Sequence, residues 1–264
     1  MTSPPPHHRT GPVPHAPLSA RRAGEGEGLT VLVIAKEPVP GRVKTRLTPC
    51  FTAEQAALLA RAALADTLAT VRALPCTHRI VALQGRPGPW LPDGFDVVPQ
   101  GTGGLDERIE RAFARCTGPT LLLGMDTPQL HAGHLAPLLA ANAWEHCDAW
   151  YGPATDGGFW ALALREPRPG LVIGVPMSRP DTGAHQRSRL TGHGLRVADL
   201  PALTDVDTAA DAADVAPLCA GEFAAVHRAL LADSPGAPGP EQPANRSTRA
   251  KAPHPAGETT SETR

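Results

Sequence analysis

Residues 29–47 read LTVLVIAKEPVPGRVKTRL and join an apolar run to a basic loop that contains prolines. The run at 29–35 is short, continuous and rich in β-branched side chains, which is typical of a strand buried on both faces of a parallel sheet. Two prolines and a glycine follow within six residues, and they favour a loop. The stretch therefore predicts a central strand with a basic loop at its carboxyl end.

Outward from this strand, the sequence alternates between predicted strands and helices. Thr52 and Gln55 have the spacing of a capping box and predict the start of a helix that runs to residue 74. Further strands are predicted at 79–84, 95–98, 119–125, 148–151, 159–164 and 195–200, and helices at 105–116, 133–143, 182–190 and in pieces up to 231. This alternation predicts an α/β fold with a mostly parallel, doubly wound, Rossmann-like sheet and helices on both faces.

The two ends of the chain differ from the middle in composition. Residues 1–28 and 234–264 are dense in proline, glycine and polar residues and have no apolar periodicity. Such segments bury too little apolar surface to offset the entropy of ordering, so we expect two disordered tails. A single domain at 29–233 remains between them, and the 41% hydrophobic content of the 264 residues is sufficient for a core.

Composition excludes several classes of function. The net charge of −1 argues against non-specific electrostatic binding of nucleic acid, and no apolar run is long enough for a membrane span. The first residues lack the apolar region of a secretory signal, and the five cysteines form no C-x-x-C pair. We therefore expect a cytoplasmic protein with reduced thiols and small-molecule partners.

The basic loop has the composition of a phosphate site. It holds Lys36, Arg42, Lys44 and Arg46, and two of the three lysines of the chain are among them. Cations at the carboxyl end of a strand suit a polyphosphate, and Gly41 allows close approach of the backbone to a ligand. A solvated basic turn is the alternative. Neither a Walker A motif nor a G-x-G-x-x-G fingerprint is present in this loop.

An aspartate follows another predicted strand at the same edge of the sheet. Asp126 comes directly after the apolar run at 119–125, where one carboxylate can hold Mg²⁺ or Mn²⁺ against the phosphates of a ligand. The alternative is that Asp126 caps the next helix. Either Asp205 or Asp207 could complete the metal site, and we assign Asp207 with Asp126 as the metal ligands.

Two weaker motifs add candidate residues. The glycine-rich turn at 100–108 leads into a helix and either wraps a base or sugar through Gly101 and Gly103 or is simply a turn. Asp156 stands in an Asp-Gly turn between two predicted strands. We assign Asp156 as the catalytic base that activates an acceptor.

Four motifs, taken in order, resemble one bacterial family. They are AKEPVPGRVKTRL at 35–47, LLLGMDTP at 121–128, GPATDGGFWALALR at 152–165 and DVDTAADAAD at 205–214. The family is the GT-A-like group of arsenosugar-biosynthesis-associated glycosyltransferases, which has the nucleotide-diphospho-sugar transferase fold. The resemblance implies that the four cations face phosphates, that Asp126 is the metal aspartate and that Asp156, Asp205 and Asp207 line the same cleft.

This chain departs from the family pattern at three places. Asp126 stands alone where the fold usually has Asp-x-Asp, Ala209 and Ala210 replace a Pro-Glu pair, and Asp106 is displaced within its turn. The resemblance implies a metal-dependent glycosyltransferase that uses a nucleotide sugar and a small-molecule acceptor, with acceptor contacts expected from residues 176–186. The first alternative is a nucleotidyltransferase that releases pyrophosphate from a nucleoside triphosphate, and the second is a non-catalytic nucleotide-binding module.

Overall fold

A computed structural model of the chain describes residues 28–233 and contains one seven-stranded sheet. The strands are β1 (Thr30–Lys36), β2 (His78–Gln84), β3 (Asp96–Pro99), β4 (Thr120–Leu123), β5 (Ala149–Pro153), β6 (Phe159–Leu164) and β7 (Val197–Asp199). Their order in the sheet is β3-β2-β1-β4-β6-β5-β7, and only β6 runs antiparallel to its neighbours. The predicted α/β fold is confirmed. The predicted tails lie outside the described residues, apart from Gly28.

The described domain has six α-helices, of which the last two follow the final strand. They are α1 (Ala53–Ala73), α2 (Leu105–Phe113), α3 (Ala136–Leu139), α4 (Thr182–Gly192), α5 (Ala209–Val215) and α6 (Glu222–Ala232). Thr52 and Gln55 form the predicted capping box at the start of α1. The helix predicted at 133–143 is much shorter, because Pro137 stands in the first turn of α3 and a 3-10 turn, Ala132–Leu135, precedes it.

The core lies on both faces of the sheet, as a doubly wound fold requires. Val31 and Val33 of β1 pack on the face covered by α1, whereas Leu32 packs on the face covered by α2 and α4. All three side chains are fully buried, which explains why this strand has no polar position in its centre. No helix between residues 28 and 233 is long and apolar enough to cross a membrane.

The strand directions decide where a ligand can bind. Since β1 to β5 and β7 point the same way, their carboxyl ends and the amino end of antiparallel β6 meet at one edge of the sheet. Ligands of open α/β sheets bind at this edge.

Candidate active site

A cleft of about 560 Å³ opens at the carboxyl edge of the sheet. Six cationic and four acidic side chains line it, together with a strip of apolar side chains. The cations are Lys36, Arg42, Lys44, Arg46, Arg108 and Arg179, the acids are Asp126, Asp156, Asp205 and Asp207, and the apolar strip is formed by Ile34, Leu105, Ile109, Leu122, Phe159 and Met177. The four predicted phosphate-binding cations and the three predicted catalytic or metal-binding aspartates are therefore brought together in one cleft.

The basic loop, residues 36–47, is held in place by its two buried apolar side chains. Val43 packs against alanines of α1, and Leu47 packs in the cluster that joins α1 to α5 and α6. Gly41 has a φ of 73°, and Lys44, a non-glycine residue, has a φ of 49° in the left-handed region. Such a backbone at lysine costs about 1 kcal/mol or more and persists where tertiary contacts hold it. Here the contacts are those of the lysine ammonium.

Lys44 lies between two aspartates from distant parts of the chain. Its Nζ is 2.7 Å from Oδ1 of Asp126 and 3.0 Å from Oδ1 of Asp207. Burial alone would lower the pKa of Lys44, but the two carboxylates outweigh burial and raise the pKa above its usual value. The two carboxylates therefore favour the charged form of Lys44 inside the cleft. Arg46 donates to the other oxygen of Asp207 at 2.6 Å from the exposed rim.

Main-chain contacts bring the second aspartate segment to the end of β4. The amide of Val206 donates to the carbonyl of Asp126 at 2.9 Å, so that Asp205 and Asp207 flank this contact. Asp211, the N3 residue of α5, accepts from the amides of Asp207 and Thr208 and completes a capping box with Thr208. The N-cap of α5 is therefore Thr208, and Asp207 is left to face the cleft.

Negative charge accumulates beside the lysine. The pKa of Asp205 is raised to about 7, chiefly by burial and then by the carboxylates of Asp126 and Asp156. By contrast, Lys44 and Arg46 outweigh burial at Asp207 and hold its pKa below the usual value. Of the four carboxylates in the cleft, only those of Asp126 and Asp207 contact Lys44 or Arg46 directly within residues 28–233.

The donor chemistry of this cluster fits a divalent cation. Mg²⁺ and Mn²⁺ prefer carboxylate oxygens, and Mg²⁺ commonly takes only one or two of them, with water and phosphate as the other ligands. Within residues 28–233, the structure has no ready-made group of three or more His, Cys, Asp or Glu ligands. The ammonium of Lys44 lies between the predicted ligands Asp126 and Asp207, and their assignment to a metal stays a prediction.

A buried glutamine fixes an arginine that the sequence analysis missed. Gln100 donates from Nε2 to the carbonyls of Ala35 and Ala82, and its Oε1 accepts from Nη1 of Arg108 at 2.9 Å. Arg108 also donates to the carbonyl of Gly104, one turn earlier, and no carboxylate pairs with it in the described domain. The sequence signal was weak, because it consists of one arginine after a glycine-rich turn.

The predicted glycines shape the turn without lining the cleft. Gly101 and Gly103 have φ values of 79° and 98°, which only glycine adopts readily. Neither these two residues nor Gly41 belongs to the cleft wall, which is formed on this side by Gln100 and Arg108. Their role in nucleotide binding remains a prediction.

The opposite wall comes from the turn around Asp156 and from the segment before α4. Oδ1 of Asp156 accepts from the amide of Gly158 at 2.8 Å, which fixes the carboxylate at the cleft. Across from it, residues 177–180 line the cleft, and Thr182 holds this segment through Pro176 and Arg179. The expected acceptor segment therefore lies at the cleft, and the catalytic role of Asp156 remains a prediction.

Comparison with known proteins identifies a family model and a relative that are similar to this chain. A family model described as "Uncharacterized protein conserved in bacteria (DUF2064)" matches residues 58–179. The phosphoenolpyruvate guanylyltransferase of Sanguibacter keddieii is 30% identical to this chain in an alignment that covers 73% of this chain and 82% of that protein.

A solved structure is similar over most of the domain. It comes from Desulfovibrio desulfuricans G20 and is provisionally assigned as a nucleotide-diphospho-sugar transferase. The TM-score is 0.61 at 27% identity, and the match covers 68% of this chain and 82% of the other. The domain is thus structurally similar to nucleotide-diphospho-sugar transferases.

Proposed function

We propose that this chain, which belongs to the DUF2064 family of bacterial proteins, is a divalent-metal-dependent nucleotidyltransferase. It joins the nucleotidyl group of a nucleoside triphosphate to a small acceptor that carries a phosphate or phosphonate, and it releases pyrophosphate. Glycosyl transfer, which the family resemblance implies, is the second candidate.

The charge of the cleft carries the proposal. Six cations line the cleft, and Lys36 and Arg42 among them are exposed and form no ion pair within residues 28–233. A nucleoside triphosphate with a phosphorylated acceptor brings more negative charge than a nucleotide sugar with a neutral acceptor. Unpaired lysine and arginine side chains at a strand end are suited to bind that charge.

The curated relative supports the same choice of substrates. It is named for guanylyl transfer to phosphoenolpyruvate, a molecule that carries both a phosphate and a carboxylate. We therefore propose a guanosine triphosphate donor and a phosphorylated carboxylic acid as the acceptor class. A reaction with these substrates belongs in the cytoplasm.

Different residues of the cleft have different roles in such a reaction. Lys36 and Arg42 bind the outer phosphates of the donor, and the segment at 177–180 faces the acceptor. Asp126 with Asp205 or Asp207 would hold Mg²⁺ or Mn²⁺, which supplies charge neutralisation at the phosphates when bound.

The chemical step requires no catalytic base. An acceptor phosphate oxygen bonds to the α-phosphorus as the bond from that phosphorus to the bridging oxygen breaks, and the electron pair leaves with pyrophosphate. Since the attacking oxygen is already anionic, no side chain has to remove a proton. Lys44 and Arg42 lie where they can stabilise the charge on the leaving group.

Glycosyl transfer is the second candidate, and the similarity to the D. desulfuricans structure favours it. A hydroxyl acceptor must lose a proton in that reaction, and Asp156 is then our proposed base. The association with arsenosugar biosynthesis belongs to this candidate alone.

The leaving group distinguishes the candidates. The full chain is incubated with Mg²⁺ or Mn²⁺ and either the four nucleoside triphosphates with phosphoenolpyruvate and related phosphorylated acids, or nucleotide sugars with a metabolite extract. We expect pyrophosphate from guanosine triphosphate. The substitution Asp126→Asn should lower this rate by about 100-fold or more, whereas Asp214→Asn, an equal change of charge on exposed α5, should not.

Two results would contradict the proposal. Release of a nucleoside diphosphate from a nucleotide sugar would establish glycosyl transfer instead. Nucleotide binding without turnover in either set of substrates would support the non-catalytic nucleotide-binding module.

A further inference from the structure

We infer that Lys44 is an internal counter-cation that competes with the divalent metal for the carboxylates of Asp126 and Asp207, and yields its position when the metal and the donor bind together. The inference rests on the proposed function, since it requires a metal-dependent nucleotide donor. It assigns Lys44 a role in metal binding in addition to phosphate binding.

The position of the ammonium is the first argument. Nζ of Lys44 touches one oxygen of each aspartate, at 2.7 and 3.0 Å, and the side chain is only 8% exposed. Oδ1 of Asp126 is buried, and within residues 28–233 it has no polar partner other than Nζ of Lys44. Three chain segments, the basic loop, the end of β4 and the segment before α5, meet at this single charge.

A metal ion bound between the same two oxygen atoms would have to take the space that the ammonium of Lys44 fills. A divalent ion bound between Asp126 and Asp207 would lie about 2.0–2.1 Å from its oxygen ligands if it were Mg²⁺. An ammonium that contacts both oxygens occupies this space, and two positive charges so close together repel strongly. Entry of a metal between these residues therefore requires Lys44 to move.

The backbone of Lys44 is consistent with a residue that has two positions. Its φ of 49° is unfavourable for lysine, and the contacts of the ammonium offset this cost while the carboxylates are free of metal. Once released, the ammonium remains in the cleft beside Lys36 and Arg42 and can bind a phosphate of the donor. Metal binding and phosphate binding then favour each other, and this coupling is reciprocal.

Arg46 provides a matched control. It also neutralises Asp207, at 2.6 Å, but through the other oxygen, and its side chain is 72% exposed. Replacing Lys44 or Arg46 by methionine removes one positive charge beside the same carboxylate. Only the change at Lys44 empties the position shared with Asp126.

Mn²⁺ binding to the full chain without nucleotide tests the inference, by electron paramagnetic resonance of the free ion or by calorimetry. We expect Lys44→Met to bind Mn²⁺ about tenfold or more tightly than the wild type, and Arg46→Met to change the affinity by less than about threefold. Unchanged or weaker binding in Lys44→Met would overturn the inference, because the metal would then use other oxygens. An equal gain in Arg46→Met would also overturn it, because the effect would be one of net charge.

A second variant covers a failure to fold. Lys44→Gln retains an N–H donor for the carboxylates but no charge, and it should also bind Mn²⁺ more tightly. The binding measurement is independent of turnover. Tighter binding in the lysine variants supports the competition even if the leaving-group assay shows glycosyl transfer, whereas no Mn²⁺ binding in any protein contradicts both the inference and the metal dependence of the proposed function.

Discussion

The two ends of the sheet both carry charged side chains in contact, but the charges balance at one end and not at the other. At the amino ends of β5 and β7, Nε and Nη2 of Arg196 contact the two carboxylate oxygens of Asp148 at 2.9 and 3.1 Å. The amide of Arg196 donates to the same carboxylate. One anion thus meets one cation, and the chain itself satisfies both.

At the carboxyl ends, Asp126 and Asp207 contact Lys44 directly and Asp207 also contacts Arg46, whereas Asp205 lies near these carboxylates without an ion pair among the described residues. The contact distances at the two ends are similar, so distance alone does not separate a structural ion pair from a ligand site. The pKa values do. Hydrogen bonds from Arg196 lower the pKa of Asp148 to about 2, whereas burial and neighbouring carboxylates raise that of Asp205 to about 7. A carboxyl group whose pKa is raised by burial and by like charges in a cleft is typical of a functional site, whereas a carboxylate paired with one arginine is typical of a structural contact.

The largest effect on stability that this comparison predicts concerns a glycine at each end. Gly157, which follows the cleft residue Asp156, has a φ of 89°, and a methyl group there would overlap the carbonyl oxygen of Pro180. Gly194, near Arg196, has a φ of 78° with open space around it. Replacement by alanine should therefore cost about 1 kcal/mol of unfolding free energy at Gly194, from backbone strain, and about 2–4 kcal/mol at Gly157, from strain and overlap.

Chemical denaturation of the two variants measures this difference. Equal losses in Gly157→Ala and Gly194→Ala would mean that the Asp156 turn and the segment before α4 do not pack closely. The cleft would then lack its rigid acceptor wall.

A smaller effect on the unfolding free energy should have opposite signs at the neighbouring residues Asp205 and Asp207. Because the folded state raises the pKa of Asp205, this group favours folding below its unfolded pKa near 3.8 and loses that contribution as the pH rises through about 7. Asp205→Asn should therefore raise the metal-free unfolding free energy at pH 8, by roughly 1–3 kcal/mol. Asp207→Asn should lower it, because the pKa of Asp207 is depressed by Lys44 and Arg46.

Denaturation curves between pH 4 and 8, recorded without metal, compare these variants with the wild type. A loss of stability in Asp205→Asn at pH 8 would show that Asp205 has a favourable partner, and the cleft would then be balanced like the other end of the sheet.

The sequence predicted the sheet and the edge where the site lies. The apolar runs of β1 and β4 are continuous, so their positions and the polar residues that follow them can be read directly. Long, capped α1 was equally clear. The length of α3 was overestimated, because its apolar spacing extends beyond the short helix that starts at Ala136 and has Pro137 in its first turn.

The arrangement within the site depends on contacts between distant residues. The hydrogen bond between Val206 and Asp126 spans 80 positions and decides which aspartates meet. The left-handed backbone of Lys44 then turns its side chain toward them. No local pattern encodes either feature, and the anchoring of Arg108 by Gln100 is likewise a tertiary contact.

The smallest predicted effect concerns the balanced pair. Asp148→Asn should lower the Tm by only a few degrees at pH 7, because Asp148 and Arg196 are solvent-accessible and screened, and it should leave turnover unchanged. The folded state depresses the pKa of Asp148, so its contribution is present above the unfolded pKa near 3.8 and is lost as the pH falls through about 2. Thermal unfolding of Asp148→Asn beside Asp214→Asn should therefore show a difference at pH 7 that shrinks below pH 4, opposite in direction to that of Asp205→Asn. A loss of turnover at unchanged Tm would instead place a functional residue at the balanced end, and charge balance would no longer distinguish the two ends of the sheet.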